Sequence, residues 1–571
     1  MSLSSRFIAP LAIALAAAVA ACGPNESTSK TEGGGAGGTV IVAVAADADN
    51  LLPTVITQLV EKQVVDQLFE PLAAPPASMS TVGDAGFEPR LAQRWRWAPD
   101  SLSIAFSLDP RAKWHDGVPV RAEDVRFSVE LLKDPVVASR QASGIDNVDS
   151  ASVRDSLTAV VWFKRRSPEQ FFQLVNGLPV VPAHLLANAP RDKVRETDFA
   201  QHPVGNGRFR FRRWVKGSLI ELVADTGNFR GRPSLDRVIW SVTPDPTAMW
   251  GRLVAEEVDM VEILRGEALA GVAKSSTTRL VPYQGLDFGL ALFNERDPQN
   301  RARPHPLLGD AALRRALTLA VDRRAIVKNV FDTLAYLSIG PVVRAQWTAD
   351  TSIAMPPHDV AAAKALLDSL GWVDHDNDGV RDKGGRALAF SLLSPSSSTP
   401  RRQAAVLMQA QWRDVGARVT LEDMEFNTFA ERMTTGKFDV VMHGLHNDPS
   451  PSDLRANFGT PPSAKDFAAN YGGYSSPVVD AALDSAASEF DIARSKALYQ
   501  RAYSRIIDDA AAIFIYEPRL VAGVNRRVET GALPAGGWWT TVADWKIAPG
   551  SQLARDRIPL DAGESTASVT R

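Results

Sequence analysis

Histidine, asparagine and aspartate side chains are concentrated in one short segment of the second half of the chain, HGLHNDPSPSDL. The segment continues an apolar run, residues 438–445, that predicts a buried strand. A carboxylate just beyond such a strand can bind a positively charged ligand group, because ligands in α/β proteins bind at the carboxyl ends of strands. The alternative is that Asp448 only shapes the turn before Pro449. The candidate ligand-binding residues are His443, Leu445, His446, Asn447 and Asp448.

The two histidines of this segment suggest a second kind of ligand, a metal ion or a metal complex. His443 and His446 are three residues apart where a strand leads into a loop, so their spacing alone does not bring both imidazoles to one metal. The alternative is that they form a polar pocket wall or lie on the surface. The sequence leaves both interpretations open.

A second acidic cluster, DHDNDGVRD at residues 374–382, matches the first nine positions of a calcium-binding loop. Aspartates occupy positions one, three, five and nine, and a glycine occupies position six. The twelfth position, where such loops have a bidentate glutamate, is Gly385. The alternative is a solvated turn after a helix that ends near Gly371. The candidate ligands of a structural Ca2+, away from the ligand site, are Asp374, Asp376, Asp378 and Asp382.

Motifs of the common hydrolases and nucleotide-binding enzymes are absent from the sequence. It has no His-Glu-x-x-His, no Gly-x-Ser-x-Gly and no phosphate-binding loop of the Gly-x4-Gly-Lys-Ser/Thr type. We therefore expect a binding protein that requires no cofactor, and not an enzyme.

The amino terminus has the pattern of an export signal with a lipid-attachment site. Arg6 precedes a short apolar run, residues 7–21, and the sequence VAACG follows from residue 19. Small residues directly before the only cysteine of the chain resemble a bacterial lipobox. We therefore expect a signal peptide at residues 1–21, acyl chains on Cys22 and a flexible tether over residues 22–38. The alternative is ordinary signal cleavage with Cys22 incidental.

Size and charge narrow the class of protein further. The chain has 571 residues, with 63 basic and 66 acidic side chains and a formal net charge of −3. This balance argues against a nucleic-acid-binding protein. The roughly 530 residues between tether and tail exceed one hydrophobic core, which stops growing at about 250–300 residues, so at least two lobes are expected.

The spacing of apolar residues predicts a strand-rich first half and an α/β second half. The predicted strands of the first half are residues 39–45, 102–108, 157–163, 208–214, 218–223 and 237–242. Those of the second half are residues 388–393, 418–422, 438–445 and 511–516. Asp310, Asp322 and Asp359 are predicted to cap three helices among them. Strands that alternate with helices predict an α/β lobe with a largely parallel sheet.

Six segments, in one order along nearly the whole mature chain, resemble the peptide-type extracellular solute-binding proteins of ABC importers, which include oligopeptide, dipeptide and nickel binders. The first segment, which contains FEPRLAQRW, KWHDG and AEDV, is the most diagnostic. The second, PVGNGRFRFRRW, is similar to the family's glycine-rich turn before a strand. The six segments are residues 87–129, 203–214, 292–327, 362–372, 411–448 and 474–516.

The resemblance implies a fold. It is an α/β, two-lobed periplasmic-binding-protein fold of type II, with an extra subdomain in lobe one. Lobe one would comprise residues 39–287, lobe two residues 288–516, a return to lobe one residues 517–549, and a loose polar tail residues 550–571. The chain would cross the hinge near residues 287–294 and 516–519. The ligand would lie between the lobes, which close over it by hinge motion.

The resemblance also implies a function. A monomeric protein in the cell envelope, facing the periplasm or the outside and anchored by lipid, would capture peptides and deliver them to ABC permease subunits in the membrane. The carboxylate of Asp448 would pair with the α-ammonium of the peptide. The family usually has tryptophan where Leu445 stands, which leaves a non-peptide solute open: a metal complex, haem or an oligosaccharide. A sensory binding lipoprotein is the remaining alternative.

Overall fold

The structure is a computed structural model that describes residues 37–463, 466–467 and 469–560. Cys22, the predicted signal peptide, the predicted tether as far as residue 36 and the predicted tail from residue 561 lie outside the described residues. Among the described residues, no helix has both the length and the apolar character needed to cross a membrane.

The three largest clusters of buried apolar side chains divide the described chain into two lobes. One cluster draws its members from residues 40–283 and 522–547, and these parts form lobe one. The other two clusters draw theirs from residues 286–516, which form lobe two. Neighbouring strand residues such as Val440 and Val441 belong to different clusters, so the sheet of lobe two is covered on both faces.

The strands follow the chain in three groups. Those of lobe one before the crossing are β1 (Thr39–Val44), β2 (Ala73–Ala74), β3 (Glu88–Pro89), β4 (Ala92–Trp97), β5 (Ser103–Leu108), β6 (Val148–Asp155), β7 (Thr158–Phe163), β8 (Phe209–Val215), β9 (Leu219–Ala224), β10 (Arg237–Val242), β11 (Met260–Val261) and β12 (Thr278–Gln284). Those of lobe two are β13 (Asp287–Phe293), β14 (Arg296–Asp297), β15 (Asn300–Pro304), β16 (Ala335–Leu337), β17 (Asp382–Lys383), β18 (Arg386–Ala387), β19 (Ala389–Pro395), β20 (Arg418–Met424) and β21 (Val440–His446). The last are β22 (Ala512–Asn525), β23 (Val528–Glu529) and β24 (Lys546–Ile547).

The helices fall in the same two groups. Those of lobe one are α1 (Leu59–Leu68), α2 (Ala122–Lys133), α3 (Gln170–Gly177), α4 (Ala183–Leu186), α5 (Pro246–Val254) and α6 (Glu267–Lys274). Those of lobe two are α7 (Ala311–Leu319), α8 (Arg323–Ile326), α9 (Val360–Ser369), α10 (Thr399–Arg413), α11 (Phe426–Thr434), α12 (Asp453–Phe458), α13 (Pro477–Ala486) and α14 (Ile492–Asp508). Asp310, Asp322 and Asp359 accept backbone hydrogen bonds at the starts of α7, α8 and α9, which confirms the predicted caps.

One sheet of twelve strands passes through both lobes in the order β20–β19–β21–β13–β22–β11–β1–β10–β9–β8, with β12 and β16 also paired to β22. In lobe two only β20, β19 and β21 are parallel, so the prediction of a largely parallel sheet is right for these three strands and wrong for the rest of a mixed sheet. The two central strands of that lobe, β13 and β22, run antiparallel to each other, and β21 is antiparallel to β13. The carboxyl ends of three parallel strands therefore meet at one edge of lobe two.

A second sheet gives lobe one the additional subdomain that the resemblance implied. Its four strands, in the order β4–β5–β7–β6, are all antiparallel. Helix α3 packs on this sheet through Phe171, whose ring centroid lies 4.9 Å from that of Trp95 and 6.0 Å from that of Phe106. Glu169 directly precedes α3, so this packing also fixes the position of Glu169.

The lobes are joined by β22 and by the junction of β12 and β13. The first part of β22 pairs with β13 in lobe two, and its last part pairs with β12 in lobe one. Only Gly285 and Leu286 separate β12 from β13. The sequence predicted a strand that ends at residue 516, because Glu517, Pro518 and Arg519 end the apolar run. In the structure these three residues stay extended because they pair with β16 and β12.

Candidate functional site

The candidate site lies at the edge of lobe two where the parallel strands β19, β20 and β21 end. Register pairs such as Leu393 with Val441 and Ser394 with Asp423 show that these ends lie side by side. Beyond them follow the loop of residues 447–452 and the start of α10. Ligands in α/β sheets bind at such carboxyl ends. The edge faces lobe one, because Ser450 of the loop contacts Glu169 of the subdomain.

Asp448 lies in this loop with its side chain exposed. Its backbone carbonyl accepts a hydrogen bond of 3.0 Å from Nε2 of Gln346. Asn447 donates from its side chain to Oε1 of Gln346 at 3.2 Å and from its backbone to the carbonyl of Leu286 at 2.7 Å. Gln346 and Leu286 thus fix the loop through groups other than the Asp448 carboxylate.

Asp453, the first residue of α12, interacts with Asp448 through its carboxyl group. Its side chain is half-buried. Burial raises the pKa of Asp453 to about 6, and the negative charge of Asp448 adds to the increase. Two carboxylates in contact repel when both are ionised, so a cation placed between them is favoured. The sequence motif contained Asp453, but no local pattern distinguished it from an ordinary helix start.

Glu169 brings a third carboxylate to the edge, from the other lobe. It is only 9% exposed, and Ser450, also 9% exposed, donates its hydroxyl hydrogen to this carboxylate, with oxygen separations of 2.7 and 2.9 Å. The hydroxyl of Thr81 donates to it as well. Burial raises the pKa of Glu169, although these hydrogen bonds oppose the increase. Sequence patterns could not predict the contact, since 281 residues separate the partners.

His446 lies on the same edge and is exposed. Its Nδ1 lies 3.0 Å from Oδ1 of Asp287, its cross-strand neighbour on β13. The hydrogen bond to Asp287 raises the pKa of His446 above its usual range, and partial burial opposes this increase. His446 and Asp287 thus form an ion pair below that pKa, close to Asp448.

His443 and Leu445 point to the opposite face of β21 from His446, because side chains alternate along a strand. Leu445 packs against the apolar cluster on that face. The ring of His443 stands edge-on to Tyr471, with 5.8 Å between centroids. Burial lowers the pKa of His443 to about 4, and the positive charge of Arg401 contributes. The structure therefore separates the two histidines that a shared metal ion would need together, and a role for His443 and Leu445 in ligand binding stays a prediction.

Arg401 is a cation at this edge that sequence reasoning missed. It lies in the first turn of α10, and its guanidinium occupies the space directly above Gly444 of β21. A Cβ at position 444 would lie 2.3 Å from Nη2 of Arg401, so a side chain there would displace the guanidinium from this position. Among the described residues, Arg401 donates no hydrogen bond and forms no ion pair. No local signal marks it, because the contact depends on how α10 packs on β21.

The acidic cluster at residues 374–382 lies away from this edge, between α9 and β17. Carboxylate oxygens of Asp374, Asp376 and Asp378 lie within 4.8 Å of one another, the single grouping of this kind among the described residues. Oδ1 of Asp374 is buried and has no hydrogen-bond partner there. The fourth predicted ligand, Asp382, instead accepts hydrogen bonds from His375 at 3.0 and 3.3 Å. Three of the four carboxylates fit a shared cation, and calcium binding stays a prediction.

Comparison with protein families places most of this chain in one of them. Residues 86–466 match the model of the bacterial extracellular solute-binding proteins, family 5. The oligopeptide-binding protein AppA of Bacillus subtilis is 27% identical over 440 residues, which are 75% of this chain and 78% of AppA.

Solved structures show the same fold at lower sequence identity. AppA of Bacillus subtilis, solved in complex with a nonapeptide, has a TM-score of 0.67 at 23% identity and covers 90% of this chain and 99% of its own. The ABC transporter substrate-binding protein CtaP of Listeria monocytogenes has a TM-score of 0.75 at 21% identity, with the same two coverages. The predicted two-lobed periplasmic-binding-protein fold of type II is confirmed. Because the family model spans well over half of its length, the chain belongs to the bacterial extracellular solute-binding proteins of family 5.

Proposed function

We propose that this protein is the substrate-binding component of an ABC importer, which captures peptides between its two lobes and delivers them to permease subunits in the membrane. Membership of family 5 supports the capture of a solute without chemical change. The name of AppA supports a peptide as that solute, and the name of CtaP supports the ABC transporter context. The protein acts as a monomer in this proposal, since one chain contains both lobes and the cleft.

The observation that carries the proposal is the pair of carboxylates at the end of β21. Asp448 is exposed toward the cleft, and Asp453 lies beside it with a raised pKa. Every peptide with a free amino terminus has an α-ammonium, whatever its side chains are. A carboxylate pair that binds this constant group leaves the rest of the cleft free to accept different sequences.

Calorimetry with Asp448 variants tests the ammonium contact. Native mass spectrometry of the purified protein identifies a peptide retained in the cleft, and a synthetic copy is then titrated. We expect Asp448→Asn to weaken binding about thirtyfold, or about 2 kcal/mol, because the bound ammonium loses its partner. N-acetylation of the peptide should have a similar effect, and the two changes together should cost little more than one, since they remove the same pair.

A matched control is Asp414→Asn, at the exposed carboxyl-terminal end of α10. It makes the same chemical change far from the ends of the parallel strands and should leave the affinity unchanged. If Asp448→Asn and N-acetylation both leave the affinity intact, Asp448 does not hold the ammonium. A retained metal complex, haem or oligosaccharide in the mass spectrum would replace the peptide as ligand.

The proposed membrane anchor is lipid on Cys22, supported by the small residues before this single cysteine and by the glycine-rich segment after it. Labelled palmitate should be incorporated into the wild-type protein and not into the Cys22→Ser variant.

Deletion of the gene should reduce peptide uptake by the cell. Unchanged uptake in the deletion strain would favour the sensory role over transport.

A further inference from the structure

We infer that a pocket of arginine side chains on lobe one binds the phosphate groups of anionic lipids, so that the anchored protein rests on its membrane with lobe two and the cleft directed away from the surface. The inference rests on the proposed function in one respect, because it takes the lipid on Cys22 as the anchor that keeps this pocket near the membrane. It assigns a surface that peptide capture does not use.

The pocket, which we call the arginine pocket, is a cavity of about 270 Å3. It lies on the face of β8, β9 and β10 opposite the core of lobe one, because side chains alternate along these strands. Its charged lining consists of one carboxylate, Glu221, and four arginines: Arg212, Arg213, Arg237 and Arg555.

The carboxylate of Glu221 is shared by two of the arginines. Nε of Arg213 donates to its Oε2 at 2.7 Å, and Nε of Arg237 lies 3.2 Å from its Oε1. One negative charge therefore faces two positive ones, and the side chain of Arg213 is still 58% exposed. Nε of Arg555 is buried and has no hydrogen-bond partner among the described residues. This excess of positive charge and of donors favours an anion with several acceptor oxygens, such as a phosphate group.

The arginine pocket lies at the end of the lobe-one sheet that points away from lobe two. Strand β22 runs from lobe two into lobe one, and β11 is antiparallel to it, so β11 runs toward lobe two. Strand β1 is parallel to β11, and its first residue, Thr39, therefore lies at the end away from lobe two. Thr39 lines the arginine pocket and pairs with Arg237. The pocket and the peptide cleft are thus at different ends of lobe one.

The proposed tether ends at the same place, since Thr39 directly follows it. The backbone N–H of Gly37 donates to the carbonyl of Ser234 at 2.7 Å, which fixes the chain to lobe one beside the pocket. The chain from Cys22 to Thr39 spans at most about 60 Å. Acyl chains on Cys22 would therefore keep the pocket close to the lipid surface, where the effective concentration of headgroups is high and weak contacts suffice.

The surroundings of the pocket favour a lipid headgroup over a free anion. Arg210, on the same side of β8, and Arg557 are both exposed and extend the positive surface. Ile558, which lines the pocket, and Val215, at the end of β8, are exposed large apolar side chains, at 49% and 44%. Positive and apolar side chains together suit the boundary between lipid headgroups and acyl chains.

Vesicle co-sedimentation tests the inference. The mature chain from residue 22 carries Cys22→Ser, so that no acyl chain contributes, and is mixed with vesicles of phosphatidylcholine alone or of equal parts phosphatidylcholine and phosphatidylglycerol. We expect at least about tenfold tighter binding to the anionic vesicles, lost at about 0.5 M NaCl. The double variant Arg212→Gln, Arg213→Gln should bind them about twenty-five-fold more weakly, since each arginine contributes about fivefold.

Arg413→Gln, at the exposed end of α10 in lobe two, is the matched control and should bind the anionic vesicles like the parent chain. An unchanged circular dichroism spectrum and unchanged peptide affinity show that the double variant is folded. Equal binding to both kinds of vesicle, or equal binding by the double variant, would overturn the inference.

Two further measurements separate other occupants of the pocket. Saturable calorimetric binding of inorganic phosphate without any vesicle binding would assign the pocket to a free anion and overturn the inference. Vesicle binding that appears only in a chain ending at residue 560 would assign the pocket to the carboxyl-terminal segment, with the same consequence. The proposed function is tested separately, because peptide binding and palmitate incorporation can each fail while the vesicle assay still decides the role of the pocket.

Discussion

At the scale of single residues, Asp453 makes stability depend on pH. Its pKa is raised from the ordinary value of 3.8 to about 6, first by burial and then by the charge of Asp448. Between about pH 4 and pH 6 the folded protein therefore keeps a proton that the unfolded chain has lost. The contribution of Asp453 to the free energy of unfolding is fully present below pH 4 and is lost as the pH rises to 6.

We expect Asp453→Asn to remove this dependence. An asparagine is similar in shape and does not titrate, so the free energy of unfolding of the variant, relative to the wild type, should rise from pH 4 to pH 6 and stay level above it. Urea unfolding at half-unit pH intervals measures the difference. The control Asp414→Asn should show no such trend. If the free energies of unfolding of Asp453→Asn and wild type differ by the same amount at every pH, Asp453 does not have a raised pKa in the folded protein.

The residues of the site differ in how far the sequence could predict them. Asp448 was predictable, because an apolar strand and a polar loop with a carboxylate form one continuous local pattern. Glu169 was not predictable as a site residue, because its partner Ser450 lies in the other lobe. Arg401 was not predictable either, because only the packing of α10 on β21 brings its guanidinium to Gly444. Tertiary contacts, and not local patterns, decide which charged groups converge.

At the scale of elements, the turn between α9 and β17 shows a loop held in shape by its own side chains. Gly371 ends α9 with a φ of 79°, and Asn377 also has a positive φ of 58°. The backbone N–H of Gly379 donates to Oδ2 of Asp374 at 3.0 Å. Asp376 and Asp378 likewise accept backbone hydrogen bonds, from Asp378 at 3.2 Å and from Val380 at 2.7 Å. The three carboxylates lie together although the twelfth position of the calcium pattern has no glutamate.

We expect this loop to bind Ca2+ weakly, with a dissociation constant of about 1 mM, because it offers fewer protein ligands than a complete calcium loop. At 10 mM Ca2+ the resulting stabilisation would be about 1.4 kcal/mol. Differential scanning fluorimetry measures it as a rise in Tm, against NaCl of equal ionic strength. Asp376→Asn should abolish the rise and Asp414→Asn should keep it. Equal Tm values in both salts would show that the loop is only a solvated turn.

Elements were predicted best where one apolar face or one cap defines them. The strands at residues 39–45, 237–242 and 438–445 were found within a residue or two at either end, and the three aspartate caps were found at the starts of α7, α8 and α9. Strand β22 was predicted at less than half its length, since Glu517, Pro518 and Arg519 carry no strand signal. Pairing with β12 and β16 keeps them extended, and such pairing is not encoded locally.

At the scale of the whole molecule, the bond between Ser450 and Glu169 holds the two lobes together. It joins the loop after β21 to the residue that precedes α3, and both partners are nearly buried. Arg166 and Phe490 add a second contact, with the guanidinium 4.2 Å from the ring centroid. A buried carboxylate without its hydrogen-bond donors destabilises the protein, so these contacts favour the arrangement in which the two lobes are closed on each other.

We expect Ser450→Ala to shift the ligand-free protein toward an open arrangement by about tenfold, since a hydrogen bond to a charged group contributes about 1.5 kcal/mol. Small-angle X-ray scattering should show a larger radius of gyration, and peptide affinity should fall modestly. Ser488→Ala, on the exposed surface of lobe two, is the control. An unchanged radius of gyration in Ser450→Ala would mean that other contacts hold the lobes closed.

The path of β22 also determines the order in which the chain can fold as it is synthesised. Lobe two is an insertion in lobe one. The part of β22 that pairs with β13 in lobe two, Ala512–Tyr516, is synthesised after all the other strands of that lobe. β11 and β12 are made before the midpoint of the chain, but their partner residues 519–525 emerge close to its end. Non-local pairing of this kind is slow, because a long loop must close first. A ribosome therefore releases almost the entire chain before the sheet of the first lobe can be completed.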